Sequence, residues 1–248
     1  MASLRTIGGC SHTPCPCNDL DPLTQGLLGA AAAQALFGRH LRHAWLVGAV
    51  GGVLPDVDVF FGSRTDPLAA IEYHRQFTHS LAFIPVGGTL AALPWLASRR
   101  GRERWKPVLG AAVAGYATHG LLDAFTTYGT QLLWPFSSYR VAWNAVAIVD
   151  PVFTLALLVG VAWGARARTC APAALALAFC AVYLALGTVQ RERALAVQER
   201  VAAARGHARV RGAVFPTLGN NVVWRSLYQA GDTLYADRVR VPWLGGAG

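Results

Sequence analysis

Three short polar clusters interrupt an otherwise apolar chain: Leu54-Pro55-Asp56-Val57-Asp58, His74-Arg75-Gln76-Phe77-Thr78-His79-Ser80 and His119-Gly120-Leu121-Leu122-Asp123. They hold three of the seven histidines and three of the thirteen acidic residues. All lie beside apolar segments, where an ionisable side chain is costly unless it is paired or binds a metal. His119 and Asp123 are four apart, so on a helix they project from one face toward a common ion. Asp56 and Asp58 are two apart, which separates them on a helix but aligns them where the backbone is extended or turning beside Pro55. Thr78 reads as a helix N-cap, leaving His79 in the first turn and His74 on the preceding loop. Imidazole with carboxylate suits zinc or manganese, and the ligand count leaves both a one-ion and a two-ion centre open. A metal-bound water is a nucleophile near neutral pH, and a spare carboxylate can take its proton, so hydrolysis is the natural chemistry. Asp123 and Glu72 are the candidate bases, although Glu72 reads equally well as a solvated loop carboxylate.

The elements that must position these groups are apolar. Of 248 residues, 54% are hydrophobic and 14% charged, and mean hydropathy is positive, a composition that marks a membrane protein. The net charge of +9 comes mostly from arginine at the ends of apolar runs. It forms no basic stripe interleaved with aromatics, so nucleic acid is not an expected partner. Apolar segments run over 23–37, 44–61, 79–97, 107–126, 143–164 and 171–188, which predicts an all-α polytopic bundle of five to six segments. Four look long enough to span. The first is rich in small residues that favour close helix packing, the second is broken by Pro55, and either could be re-entrant.

The loops 38–43, 98–106 and 165–169 are basic and the intervening 62–78 and 127–142 are less so, which places the basic loops in the cytoplasm. The three clusters then meet at the opposite, outward end, joined by Thr24 and Gln25 at the start of the first segment. Beyond 188 the chain turns arginine- and alanine-rich, consistent with a helix continuing into the interface. A β-hairpin is predicted from the alternating runs Val222–Tyr228 and Leu234–Val241 around Gly231-Asp232. The domains expected are an N-terminal extension (1–18), a transmembrane domain with the site (19–188) and a small extramembrane tail (189–248).

On these clusters the chain resembles the membrane-bound metal-dependent hydrolases of the YdjM-like family. The resemblance runs from Asp21-Pro22-Leu23-Thr24-Gln25-Gly26 through the three clusters to Ala124-Phe125-Thr126-Thr127-Tyr128-Gly129-Thr130, Leu133-Trp134-Pro135-Phe136 and Asp150-Pro151. It implies an inner-membrane protein with a divalent metal held by Asp56, Asp58, His74, His79, His119 and Asp123. It also implies a distant kinship with zinc-dependent phospholipases C and nucleases, hence hydrolysis of a phosphoester or lipid-type substrate. Gln25 stands where many relatives carry histidine, so it is expected as a supporting group or weak oxygen ligand. Gln76 stands where glycine is usual.

Blander readings compete at several positions. Asp150 either joins the site or simply starts a helix before Pro151. His40 and His43 lie with arginines and suit headgroup contact, and His207 belongs to the solvated tail. Cys180 reads as a small buried hydrophobe. Cys10, Cys15 and Cys17 could bind zinc or pair, but their spacing matches no familiar zinc module, which favours a disordered extension. A non-catalytic metal-binding scaffold or carrier is the competing function. A membrane protease is disfavoured because neither His-Glu-x-x-His nor Gly-x-Ser-x-Gly is present.

Overall fold

A computed structural model describes residues 21–61, 75–207, 211–219 and 221–244. Glu72, His74 and the extension with Cys10, Cys15 and Cys17 lie outside the described residues.

Helix α1 (Pro22–Phe37) starts where the Asp21 carboxylate accepts the Thr24 N–H at 3.1 Å, with proline in the first turn. Helix α2 (Ala44–Val53) follows a short loop. At Leu54-Pro55 the chain tightens into 3-10 turns over Leu54–Phe61, because a proline there cannot donate to the preceding turn. Two more such turns, Phe77–His79 and Leu81–Phe83, lead into α3 (Ile84–Leu96). The short α4 (Arg99–Glu103) is capped by Ser98, and α5 (Trp105–Phe125) is the first long helix. An irregular stretch then ends at Asp150, whose Oδ1 accepts the Val152 and Phe153 N–H groups to start α6 (Pro151–Ala167). Helix α7 (Ala171–Ala204) runs unbroken for 34 residues.

The bundle is mostly helical, but the expectation of five to six apolar segments, four of them long enough to span, is corrected. Among the described residues only α5 and α7 are long and apolar enough to cross a membrane, while Leu81–Leu96 and Pro151–Ala167 are shorter apolar helices. The polar clusters cause the shortening. Segment 44–61 leaves the α conformation at Pro55, segment 79–97 spends its first residues in 3-10 turns, and segment 143–164 becomes helical only at Pro151. Thr78 is likewise no N-cap: it sits within the Phe77–His79 turn.

Burial is distributed as lipid-facing helices require. The interior is built from Ala30, Ala31, Ala33, Ala91, Ala111 and Ala112, while Leu155 and Leu175 are 59% and 70% exposed. Small residues let backbones touch. A Cβ at Gly48 of α2 would lie 2.3 Å from the Gly29 carbonyl oxygen of α1, and one at Gly115 of α5 would lie 2.2 Å from the Gly48 oxygen.

The tail is a three-stranded antiparallel sheet in the order β1 (Arg211–Pro216), β2 (Val223–Ala230), β3 (Thr233–Arg240), rather than the single hairpin expected. The β2–β3 turn falls at Gly231-Asp232, with Gly231 at φ 58°. Strand β1 lacked a signal because Gly212 and Pro216 interrupt its short alternation and only Val214 is fully buried. The inner face, with Val214, Trp224 and Val239, packs on Ala194 and Val197 of α7. Gln190 secures it by donating to the Asn221 and Val241 carbonyls at 2.9 and 2.8 Å. His207, expected in solvent, stands over Tyr235 with ring centroids 4.4 Å apart.

Candidate metal centre

The start of α1, the turn after α2, the Phe77–His79 turn and the end of α5 meet at one end of the bundle. His119 is fully buried in α5, where its Nδ1 faces the Gly52 carbonyl oxygen at 2.6 Å. A carbonyl only accepts, so that nitrogen carries the proton and Nε2 presents its lone pair. His79 is set the same way. Its Nδ1 lies 2.9 Å from Thr78 Oγ1 and 3.3 Å from Asp58 Oδ2, and the Thr78 hydroxyl donates to that same carboxylate oxygen. The two Nε2 atoms therefore face each other, 2.9 Å apart.

Both carboxylates beside them are acceptors as well. Asp56 Oδ1 lies 3.1 Å from His119 Nε2 and 3.6 Å from His79 Nε2. Asp123 Oδ2 lies 3.2 Å from His79 Nε2 and 3.5 Å from His119 Nε2. Among the described residues neither Asp56 oxygen nor Asp123 Oδ2 has a hydrogen-bond partner. A buried acceptor left unpaired costs about 1–3 kcal/mol, and the cations within reach of these oxygens are Arg75, the two imidazoles when protonated, or an ion held between them. Asp56, His79 and His119 form a group that could hold a metal ion. Ligands about 2.0–2.2 Å from a tetrahedral ion stand roughly 3.3–3.6 Å apart; the edges of this triangle are 2.9, 3.1 and 3.6 Å, so two of them would open slightly around an ion. Asp123 Oδ2 makes a second triangle on the same two nitrogens.

Other predicted residues surround this core. Asp58 stands behind His79, on its Nδ1 side, and accepts the Arg75 backbone N–H at 3.0 Å. Gln25 donates to Asp123 Oδ1 at 2.9 Å, which fixes that carboxylate from behind. Asp150 lies elsewhere in the same cleft, occupied as the α6 cap and accepting from the Tyr183 hydroxyl at 2.7 Å. Glu72 and His74 fall outside the described residues.

Four contributors escaped the sequence reading. Arg75 is 3% exposed, in the left-handed region at φ 59°, with Nη1 donating to Thr126 Oγ1 at 3.0 Å and Nε 3.4 Å from Asp123 Oδ2. Its signal was a cation inside a polar cluster of acceptors, where charge balance requires one. The Gly52 carbonyl and the Tyr116 hydroxyl, which donates to the Thr78 carbonyl at 2.7 Å and holds the histidine turn, carry no local signal. Gly120 does similar work by absence, since a Cβ there would lie 2.2 Å from the His79 carbonyl oxygen.

The space at the site is small. A cavity of about 20 Å³ reaches Asp56, Arg75 and Asp123, walled on the apolar side by Leu122, Val146 and Phe153. That is room for little more than a water molecule.

Comparison with known proteins agrees with this membrane architecture. Residues 20–194 match the family described as YdjM inner membrane protein. The inner membrane protein YdjM of Escherichia coli K12 and that of Shigella flexneri are each 37% identical to the chain over 90 residues, covering 34% of this chain and 44% of the relative. The chain thus spans less than half the length of the curated relatives it matches. No solved structure matches it. With the family match running from Leu20, just before the cap of α1, into the tail of α7, the chain belongs to the YdjM inner membrane protein family.

Proposed function

We propose that the protein is a metal-dependent hydrolase of the inner membrane, acting on a phosphoester or lipid-type substrate at the non-cytoplasmic face. The observation that carries this reading is the triangle of two imidazoles and one carboxylate. Three protein ligands leave a position open on a zinc-like ion, as catalytic centres do and closed structural sites do not. A bound divalent ion, zinc or manganese, supplies Lewis acidity and a water acidified to near neutral pKa.

The chain's own groups take the remaining roles. Asp56, His79 and His119 hold the ion, and Asp123 completes or flanks the set, its free oxygen aimed at the same nitrogens. Asp58 and the Gly52 carbonyl fix the two ring tautomers, a supporting shell that raises ligand basicity. Arg75 presents a fixed positive charge to the cleft beside the carboxylates, where it orients an anionic oxygen of the substrate. The apolar wall of Leu122, Val146 and Phe153 suits the hydrocarbon part of an amphiphile. The expected partners are membrane lipids and a small or lipid substrate, with no nucleic acid.

One observation favours the second reading, a non-catalytic metal-holding scaffold or carrier: the cavity of about 20 Å³ admits an ion and its water but no substrate. Metal analysis and turnover on the purified full chain separate the two. The hydrolase reading expects stoichiometric zinc or manganese, cleavage of phosphodiester or lipid substrates, and loss of both metal and cleavage in His79→Ala. Stoichiometric metal with no cleavage across a broad substrate screen establishes the scaffold reading instead.

A further inference from the structure

The end of the bundle away from the metal centre holds a cavity of about 230 Å³ where the C-terminal ends of α1 and α6 meet the N-terminal ends of α2 and α5. Arg39, Arg42, Arg104 and Arg168 line it, and among the described residues no carboxylate does. Among the described residues Arg39, Arg42 and Arg168 make no ion pair, and Arg104 donates only to the His40 carbonyl, at 2.9 Å. Arg39 and Arg168 follow the C-termini of α1 and α6, where a cation is favourable without any ligand. Arg42 does not fit that explanation, and Arg104 fits it only in part, since it follows the five-residue α4 and at the same time opens α5. Arg104 is the N-terminal cap residue of α5, and Arg42 comes just before the cap of α2, with no side-chain hydrogen bond capping either helix. A cation at a helix N-terminus is unfavourable, and an anion between the two relieves both.

The surroundings of the cavity identify the anion. Ala165 borders both this cavity and an apolar groove of about 430 Å³ running between α1 and α6, walled by Leu27, Trp45, Leu158 and Ala162. A polar head joined to a hydrocarbon chain is what continuous charged and apolar spaces accommodate, and basic pockets between membrane helices bind such headgroups.

We propose that this end binds one anionic phospholipid. Its phosphate lies among the four arginines, and one acyl chain occupies the groove. The site is separate from the metal centre and stands whether or not that centre is catalytic.

Native mass spectrometry of the full chain in detergent, titrated with phosphatidylglycerol or with phosphatidylcholine of the same chains, tests this. The expected result is one phosphatidylglycerol bound at least tenfold more tightly than phosphatidylcholine. The preference disappears in Arg42→Gln/Arg104→Gln, both exposed positions. Ala162→Phe, which fills the groove and leaves every arginine in place, weakens binding at least threefold. Unchanged size-exclusion profiles establish that both variants fold. Equal binding of the two lipids, wild-type preference in the arginine variant, or inorganic phosphate alone giving the same saturation as the lipid each overturns the proposal.

Discussion

Helices α1, α2, α5 and α6 carry one chemistry at one end and its opposite at the other. At the start of α1 and the end of α5, carboxylates and imidazoles are buried with about 20 Å³ of free space, each ring fixed by a protein acceptor. At the end of α1 and the start of α5, arginines surround about 230 Å³ with almost no protein partner. The tight end is packed by protein around a group that could hold one metal ion. The open end is filled by nothing among the described residues. With 21 residues, α5 separates them by about 30 Å, roughly the thickness of a bilayer's hydrocarbon core.

The largest effect comes from breaking what both ends share. Gly48→Leu places a side chain where the Gly29 and Gly115 backbones already touch α2, and no rotamer avoids backbone atoms at those distances. The expected cost is at least about 3 kcal/mol, read as loss of the thermal unfolding transition in detergent together with loss of metal and of lipid binding. Retention of either ligand in a folded Gly48→Leu protein breaks the claim that the same helices set both ends.

Next is His119→Ala, which acts on one end alone. Bound metal should fall from stoichiometric to near zero by elemental analysis, while phosphatidylglycerol binding keeps its wild-type affinity. A loss of lipid binding in a folded variant argues that the two ends are coupled rather than merely connected. Asp58→Asn probes the supporting shell with a smaller step. Metal affinity should weaken by about 10–100-fold, measured by competition with a chelator, because the amide can turn its NH₂ toward His79 Nδ1 and reverse the tautomer. An affinity loss as complete as that of His119→Ala would make Asp58 a direct ligand.

The contrast between the ends also explains what the sequence disclosed. His119 and Asp123 were legible because a helix repeat puts residues four apart on one face, and the cluster spacing marked Asp56, Asp58 and His79 as polar groups in apolar surroundings. Their division of labour was not legible. Asp56 and Asp58 both reach His79, but from its Nε2 and Nδ1 sides, a distinction made by the 3-10 turn through Leu54–Phe61 that no pattern of residue types encodes. Helix lengths were overread for the same reason, since hydropathy counts residues such as Leu81 and Val146 as span although the chain turns there to build the site. Asp150 belongs to the opposite case: its helix-start reading was available from Asp-Pro alone. At the arginine end, the loops were legible as basic, but a cavity formed by the ends of four helices is a property of packing, invisible to any one loop.

The smallest effect concerns charge that lies at neither end. Arg205, after α7, makes two hydrogen bonds to Asp237 of β3, Nη1 to Oδ2 at 2.7 Å and Nη2 to Oδ1 at 2.8 Å. The guanidinium holds the Asp237 carboxyl below the usual carboxylate range. A carboxylate with a lowered folded pKa stabilises the fold above its ordinary pKa of about 3.9, and that contribution is lost as pH falls through the lowered value. Both side chains remain partly exposed, so water and salt screen the pair and its contribution is slight. Asp237→Asn should therefore lower the unfolding midpoint of the sheet, followed by Trp224 fluorescence, by a small amount at pH 7. The gap should narrow in high salt and close in strong acid, with bound metal and lipid unchanged. A gap that widened on acidification would reverse the sign of the linkage and require another partner for Asp237. A metal held by the buried centre should answer to acid in the same direction by a different route, since protonating His79 and His119 would compete with it for the same two nitrogens. Metal release and sheet loosening are then separable, because only the first should respond to His119→Ala and only the second to Asp237→Asn.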